Sequence, residues 1–400
     1  MNFTENMDIC RHSGSCGGCK YQGIPYEQQL AEKEEAVLEF LEDKHIECEN
    51  IQKIEPSPVK YRYRNKMEYT FGDLHKDGEL TLGLHMKGRF MSVVTANECQ
   101  LVCRDFNTIL DAVLEFCRKK AYPKYHKKAH RGLLRHLVLR RGERTGEILV
   151  NIVTASGDFD GQGFAKMLKE LVLDNNSIIG ILRTVNDNFS DAVICDRMEI
   201  LFGRDYYMEM VMGLDFKVSA FSFFQTNVTA AEKLYEDAVS FLDKKEHGTV
   251  FDLFCGTGTI TQAAAKKGGE VIGIELDPAS VSAAVENAEL NGLKNCRFIA
   301  GDVFDVLSGN SPEKIREKPD IIILDPPRPG VGGKALEKII NLGAENIVYI
   351  SCNPKTMAND LFYFQYYGYK TVYLKPYDNF PFTGHVETCC LLEKRGRGQV

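Results

Sequence analysis

The chain has 400 residues, 44% hydrophobic and 26% charged, with 49 Lys and Arg against 56 Asp and Glu for a net charge of -7. That length exceeds what one core usually serves and predicts two or three domains, while the composition excludes a disordered chain and gives no nucleic-acid affinity from total charge alone. Met1 to Asp8 holds no basic segment followed by an apolar one, and no later run approaches a membrane span, so a cytoplasmic protein without a membrane partner is expected.

The chain opens on cysteine. Of its thirteen cysteines, three fall between Cys10 and Cys19, and in a reducing compartment such clustering reads as metal ligation rather than disulfide bonding. Cys10-x5-Cys16-x2-Cys19, loosened by Gly14, Gly17 and Gly18, supplies three thiolates, and Cys99 and Cys103 are candidates for a fourth. Zinc on Cys16, Cys19, Cys99 and Cys103, or a [4Fe–4S] cluster on Cys10, Cys16, Cys19 and one distant cysteine, both fit this spacing. Tyr26 to Lys44 follows as a charged helix with Leu30, Val37 and Leu41 on one face, suited to lying flat on another domain. Strict alternation over 60–66 predicts a strand with Lys60, Arg62, Arg64 and Lys66 on one face, and 80–85 and 90–95 read as further strands.

A helix is predicted over 105–120. From Arg118 to Arg144 come eleven Lys and Arg against one acid, Glu143, with Tyr122 and Tyr125 among them, the mixture that grips phosphates and stacks bases of single-stranded RNA. Strands at 133–140 and 147–154 form a hairpin through Gly142 to Gly146, and 164–173 reads as a helix. Residues 1–215 are thus expected to form a mainly β accessory domain with a metal centre and a basic RNA-binding surface.

From 216 to 400 strand and helix patterns alternate, which predicts a doubly wound, Rossmann-like α/β domain. Its last apolar strand follows another without a helix between and should return antiparallel. Ligands of such sheets bind outside the carboxyl ends of the strands, and unusual polar residues fall there. Asp252-Leu-Phe-Cys-Gly-Thr-Gly258 ends the first strand, and Gly256 lets the backbone approach a ligand. Thr261 replaces the third glycine of the dinucleotide pattern and argues against NAD. Glu275 closes the second strand where a carboxylate takes ribose hydroxyls, and Asp302 follows the third, within reach of an adenine amine. Acids at several tips, with no phosphate-binding lysine, favour a cationic nucleoside, S-adenosylmethionine. Asp325-Pro-Pro-Arg-Pro-Gly330 ends the fourth strand as a rigid loop at the methyl end.

The fifth strand delivers Cys352 into Ser351-Cys-Asn-Pro354, where Pro354 stops the ladder. A free cysteine is usually a small buried hydrophobe, but a thiolate beside a methyl donor has a specific use. Added to C6 of uracil, it makes C5 nucleophilic enough to take the methyl group, after which a base must remove the C5 proton. Glu387, at the entry of the last strand, is the expected base, with its pKa raised by burial, and His385 an orienting loop residue.

These residues resemble the bacterial RNA uracil-5-methyltransferases, the 5-methyluridine-forming enzymes of tRNA and 23S rRNA, most closely the iron–sulfur 23S rRNA branch. The motifs that carry the resemblance are Cys10-x5-Cys16-Gly-Gly-Cys19, Phe224-Gln-Thr-Asn227, Asp252 to Gly258, Asp325-Pro-Pro-Arg328, Ser351 to Pro354 and His385-Val-Glu387. The resemblance implies Cys352 as nucleophile and Glu387 as base, with Gln225, Phe254, Glu275 and Asp325 lining S-adenosylmethionine and Thr259 and Asp302 at further contact positions. It implies a [4Fe–4S] cluster on Cys10, Cys16, Cys19 and Cys99 instead of zinc, RNA as partner (23S rRNA ahead of tRNA), a monomer, and the 26–44 helix packed on the catalytic domain. Many members begin with a TRAM-type β-barrel; this chain starts at the cluster cysteines, so the central domain is expected to grip the substrate. Several members carry Asn where Thr259 stands. An amino-group methyltransferase is the rival enzyme, since Asp325-Pro-Pro resembles the loop that holds an exocyclic amine.

Overall fold

The computed structural model describes residues 9–190, 192–244 and 248–395; residues 1–8, read above for a leader-like pattern, lie outside them. The first half gives α1 (Tyr26–Asp43), β1 (Lys66–Asp73), β2 (Leu80–Met86), β3 (Arg89–Thr95), α2 (Arg104–Lys119), β4 (Leu134–Arg141), β5 (Glu147–Thr154), α3 (Gly161–Lys169), β6 (Ser177–Val185) and β7 (Arg197–Gly203). A hairpin, β8 (Tyr206–Val211) and β9 (Leu214–Ser219), and then α4 (Val228–Ser240) lead into the second half. There follow β10 (Thr249–Leu253), α5 (Thr259–Ala265), β11 (Glu270–Glu275), α6 (Pro278–Leu290), β12 (Cys296–Ala300), α7 (Val303–Leu307), β13 (Ile321–Leu324), α8 (Gly333–Leu342), β14 (Asn346–Ser351), α9 (Pro354–Tyr366), β15 (Tyr369–Tyr377) and β16 (Glu387–Lys394).

Two seven-stranded sheets organise these elements. The first, ordered β3-β2-β1-β4-β5-β6-β7, is mainly antiparallel, with one parallel β5–β6 pair joined through α3. Its core forms where α2 lays Phe106, Ile109, Leu110, Val113 and Leu114, spaced at the helical period, on the strands' buried face. The second, ordered β12-β11-β10-β13-β14-β16-β15, is parallel through its first five strands and closes with the antiparallel β16 and β15. This is the Rossmann-like order of S-adenosylmethionine-dependent methyltransferases. β13 reads Ile-Ile-Ile-Leu, all buried, because a central parallel strand is covered on both faces.

The halves share apolar contacts. Tyr207, Phe216 and Val218 of the β8–β9 hairpin belong to one cluster with Leu149 and Leu182 of the first sheet and Val250, Ile323 and Leu391 of the second. β9 therefore runs across the 215/216 division expected from sequence. Val37 and Leu41 of α1 pack beside Leu374 and Cys390, and Lys33 reaches Asp378 at 2.6 Å with both side chains buried. Glu49 N, Gln52 N and Glu55 N bond to the carbonyls of Thr371, Leu374 and Pro376, which covers β15, the edge strand of the second sheet.

Three sequence expectations are corrected. Residues 60–65 are not a strand: Arg62 is left-handed (φ +57°), Tyr61 stacks on Phe382, and the Tyr63 hydroxyl donates to Pro381 O at 3.0 Å. The segment is an irregular bridge to the second half, and the ladder begins only at Lys66. The helix expected over 164–173 runs over Gly161–Lys169, started by the Asp160 side chain accepting from Gly163 N. The basic run is only partly surface, because Arg135, His136, Arg140 and Arg141 are buried on β4. Among the described residues no helix is long and apolar enough to cross a membrane.

Candidate active site

The site lies at the carboxyl ends of β10, β11, β13 and β14, where parallel strands stop and helices begin. After β10 the chain turns at Phe254 (φ +68°), Gly256 (φ +54°) and Gly258 (φ +78°), three left-handed positions that alternate with ordinary ones. A Cβ on Gly258 would meet the Phe298 ring at 2.8 Å, whereas one on Gly256 would meet nothing within 4 Å, so the turn packs inward at Gly258 and faces open space at Gly256. Glu275 accepts from Gly256 N at 3.0 Å and Asp277 N at 2.9 Å, and so ties the first two tips together. Asp302 is exposed at the third and caps α7 by accepting from Phe304 N at 2.9 Å.

Asp252 is fully buried on β10, where Thr261 Oγ1 donates to its carboxylate at 2.5 Å. Burial pushes its pKa up to about 7, against the pull of Thr261. Asp325, the next tip, is also raised to about 7, by burial and then by the charge of Asp252. Its loop is braced from α9, where Asp360 accepts from Val331 N at 2.8 Å, Gly332 N at 3.2 Å and the Tyr349 hydroxyl at 2.6 Å.

Cys352 follows β14 directly, half-buried, and α9 starts at Pro354. Asn353 Nδ2 and Thr356 Oγ1 both donate to Arg328 O at 3.0 Å, which joins the cysteine turn to the Asp325 loop. β14 and β16 pair antiparallel as far as Ser351 opposite Thr388, and the residues just beyond that pair, Cys352 and Glu387, lie within reach of each other's charge. Burial pushes the thiol up to about 11, helped by the charges of Glu387 and Asp325, while Arg328 pulls it down. Glu387 is only 7% exposed, and burial followed by the charge of Asp325 raises its pKa to about 8, with Arg328 again opposing. His385 is exposed, with Nδ1 3.2 Å from the Arg328 guanidinium.

Gln225 is half-buried ahead of α4; its carbonyl accepts from Asn65 Nδ2 at 3.0 Å and its side chain bonds the Tyr235 hydroxyl. Sequence reasoning missed Tyr235, which is buried within the fields of Asp325 and Glu387. It also missed Asp360 and Leu276, an apolar side chain 66% exposed just after Glu275. Leu276 had a signal: a large apolar residue at a strand tip faces either a ligand or water.

Cys10, Cys16, Cys19 and Cys99 line one cavity of about 230 Å³, shared with Arg64, Thr383 and His385. Burial lifts Cys19 to about 12 and Cys99 to about 11, with the charges of neighbouring thiols adding to each rise. Cys103 instead precedes α2 as its buried N-cap. Among the described residues no three His, Cys, Asp or Glu close on a point that would hold a single metal ion.

Residues 192–395 match the family described as tRNA (uracil-5-)-methyltransferase. The chain is 48% identical to an uncharacterized RNA methyltransferase of Clostridium tetani and 50% identical to one of Clostridium acetobutylicum, in each case over 96% of this chain and 84% of the relative. In three dimensions it is similar to the Pyrococcus abyssi tRNA (uracil-54, C5)-methyltransferase in complex with S-adenosyl-L-homocysteine, with a TM-score of 0.76 and 26% identity over 94% of this chain and 86% of that one.

Proposed function

The chain belongs to the RNA uracil-5-methyltransferase family, and from that membership we propose that it methylates C5 of uridine in 23S rRNA through a covalent adduct at Cys352. It is an RNA methyltransferase, and its cofactor is S-adenosylmethionine. The observation that carries the covalent reading is a thiol just past the last β14–β16 pair, Ser351–Thr388, that lies in the field of the buried Glu387. The Cys352 thiolate adds to C6, and the electron pair of the C5–C6 bond moves toward O4. C5 then takes the methyl group, with S-adenosylhomocysteine as leaving group. Glu387 removes the C5 proton, and the C–H electrons restore the double bond as the thiolate departs.

The acids at the strand tips suit this use. Glu275, Asp302 and the turn at Gly256 would hold the ribose and adenine, with Leu276 against the ring, while Gln225, Phe254 and Asp325 would line the sulfonium end. A sulfonium supplies the methyl group and a positive charge, which offsets the carboxylates' field on the thiol. Arg328 is the chain's own counterpart, lowering the pKa of both Cys352 and Glu387 and so favouring their ionised forms.

The cavity lined by Cys10, Cys16, Cys19 and Cys99 fits a [4Fe–4S] cluster: four thiols on a space of about 230 Å³, larger than one ion fills. Its role is read as holding the fold and positioning RNA, with residues 1–215 gripping substrate and 216–400 carrying the chemistry. Cys16→Ser is then expected to lose RNA affinity and keep cofactor affinity; unchanged folding and RNA binding would count against that role. A second reading, a tRNA substrate, is favoured by the family description and by the Pyrococcus neighbour. Nucleoside mass spectrometry of separated rRNA and tRNA from a strain lacking the protein tests both. Loss of 5-methyluridine from 23S rRNA, restored only with Cys352 intact, supports the first; loss from tRNA supports the second; unchanged levels in both pools contradict the two together.

A further inference from the structure

A second cleft lies on the first sheet, away from the strand tips. Its volume is about 250 Å³, between the β2–β3 hairpin and the segment following α2, and its walls include Phe90, Met91, Tyr125, Lys76, Lys124 and Lys127. Phe90 is 65% exposed and Met91 58% exposed, which is unusual for neighbouring large apolar side chains on an edge strand. The Phe90 ring is held flat by His85, stacked at 4.3 Å and 21°, and Lys127 Nζ stands 4.9 Å from its centroid. At the opposite wall the Tyr125 ring is fixed by the Arg135 guanidinium at 4.4 Å. Lys124 pairs with Asp73, and Lys76 and Lys127 line the same cleft, with Asp73 and Asp77 as its acids. In a chain of net charge -7, aromatic and cationic groups gathered on one concave surface meet the needs of a single-stranded nucleotide, a π-face and a phosphate.

The cleft is also mechanically tied to the active site. Gly17 N donates to His85 O at 2.9 Å and Lys87 N to Ser15 O at 2.8 Å, so the cysteine arm grips the hairpin that carries Phe90. Three residues further along the arm, Lys20 N and Tyr21 N donate to Phe382 O at 2.9 and 3.0 Å, on the loop that leads to Glu387. One short segment thus fixes the hairpin against the catalytic loop.

We propose that this cleft takes one unpaired nucleotide of the RNA, its base on Phe90 and its phosphate against Lys127, and so sets which uridine reaches Cys352. The inference rests on the RNA-methylating reading above and adds to it a specificity site about which the strand-tip residues say nothing. Stacking on one aromatic ring makes Phe90→Ala about tenfold weaker for RNA, with Phe90→Tyr near the unmodified protein. Because Phe90 is exposed, neither change threatens the fold.

The test is ultraviolet cross-linking of the full-length protein to a 5-bromouridine-substituted single-stranded oligoribonucleotide, with peptide mapping, alongside anisotropy titrations and methyl transfer by the same samples. A cross-link within the β2–β3 hairpin, an affinity lost in Phe90→Ala and kept in Phe90→Tyr, and a raised KM with kcat preserved are expected. Cross-links confined to other segments, or Phe90→Ala and Lys127→Ala binding like the unmodified protein, overturn the inference. RNA cross-linked at the hairpin without any methylated uridine would leave this site standing and remove the catalytic reading instead.

Discussion

The two seven-stranded sheets bury charge in opposite ways. In the first, the buried arginines are largely partnered: Arg135 donates to the carbonyls of Asn186, Asn188 and Ser190, Arg141 pairs with Glu143, and Arg183 bonds Thr154 Oγ1 at 3.1 Å and Gly157 O at 2.8 Å, although Arg140 Nε and Nη1 make no hydrogen bond among the described residues. In the second, the buried side chains at the carboxyl edge are acidic and crowded: Asp252, Asp325 and Glu387 are held at about 7, 7 and 8, with burial the first cause each time. Burial costs both sheets, yet it is at the carboxyl edge of the second that carboxyl pKa values are held near neutral pH. Paired buried charge builds architecture, whereas unpaired buried charge of one sign is a store of reactivity.

The largest effect expected from breaking that contrast is at the nucleophile. Cys352→Ala removes the thiol while sparing the acids, and turnover on uridine-containing RNA should fall on the order of 10⁴-fold or more while S-adenosylmethionine binding, followed by calorimetry, persists. Glu387→Gln removes the base and should cost roughly 10²–10⁴-fold in turnover, measured by tritium release from C5-labelled RNA.

The counterexample in the second half is Asp378, buried yet paired at 2.6 Å with Lys33 of α1. Lys33→Met strands Asp378 without its cation and should destabilise the protein by about 3–5 kcal/mol, read from denaturant unfolding. A loss below about 1 kcal/mol would blur the distinction between paired and unpaired burial.

The pH dependence sharpens it from the other side. A folded-state pKa raised above the ordinary carboxylate value means that the folded protein holds a proton the unfolded chain gives up. The stability contributed by protonated Glu387 is therefore fully present below about 4.5 and is lost as pH rises through about 8. Glu387→Gln, which cannot ionise, should match the unmodified protein near pH 4.5 and exceed it by roughly 2–4 kcal/mol at pH 9, a gap that chemical unfolding at the two pH values would report. The smallest effect is expected at Arg328. Since it draws the thiol and Glu387 downward, Arg328→Met should move the rising limb of the rate–pH profile to higher pH, with activity partly recovered in alkaline buffer.

Much of this was legible because α/β sheets present function at strand ends. Gly256, Glu275, Asp325 and Cys352 each follow an apolar run that a parallel sheet buries, and Asp302 follows its edge strand β12, so their placement at one edge follows from topology. The first half was harder to read. The alternation over 60–66 looks like a strand, but Tyr61 and Tyr63 face the loop at 381–382 and Arg62 has turned left-handed, so the pattern serves a junction. The basic run could not say which of its members β4 would bury, because that depends on carbonyl partners as distant as Asn186 and Ser190. Tyr235 and Asp360 escaped notice for a related reason. Each lies on a helix's buried face, where a polar residue is conspicuous only once its neighbours are known.

The most direct test of the central claim, that a thiol and a frustrated acid cooperate across β14 and β16, is the intact mass of Glu387→Gln incubated with S-adenosylmethionine and uridine-containing RNA. With addition and methyl transfer possible but proton removal blocked, the variant should accumulate a denaturation-resistant protein–RNA species carrying one added methyl group, mapped to Cys352. Free protein with methylated RNA released at the normal rate, or methyl groups found on nitrogen, would contradict it.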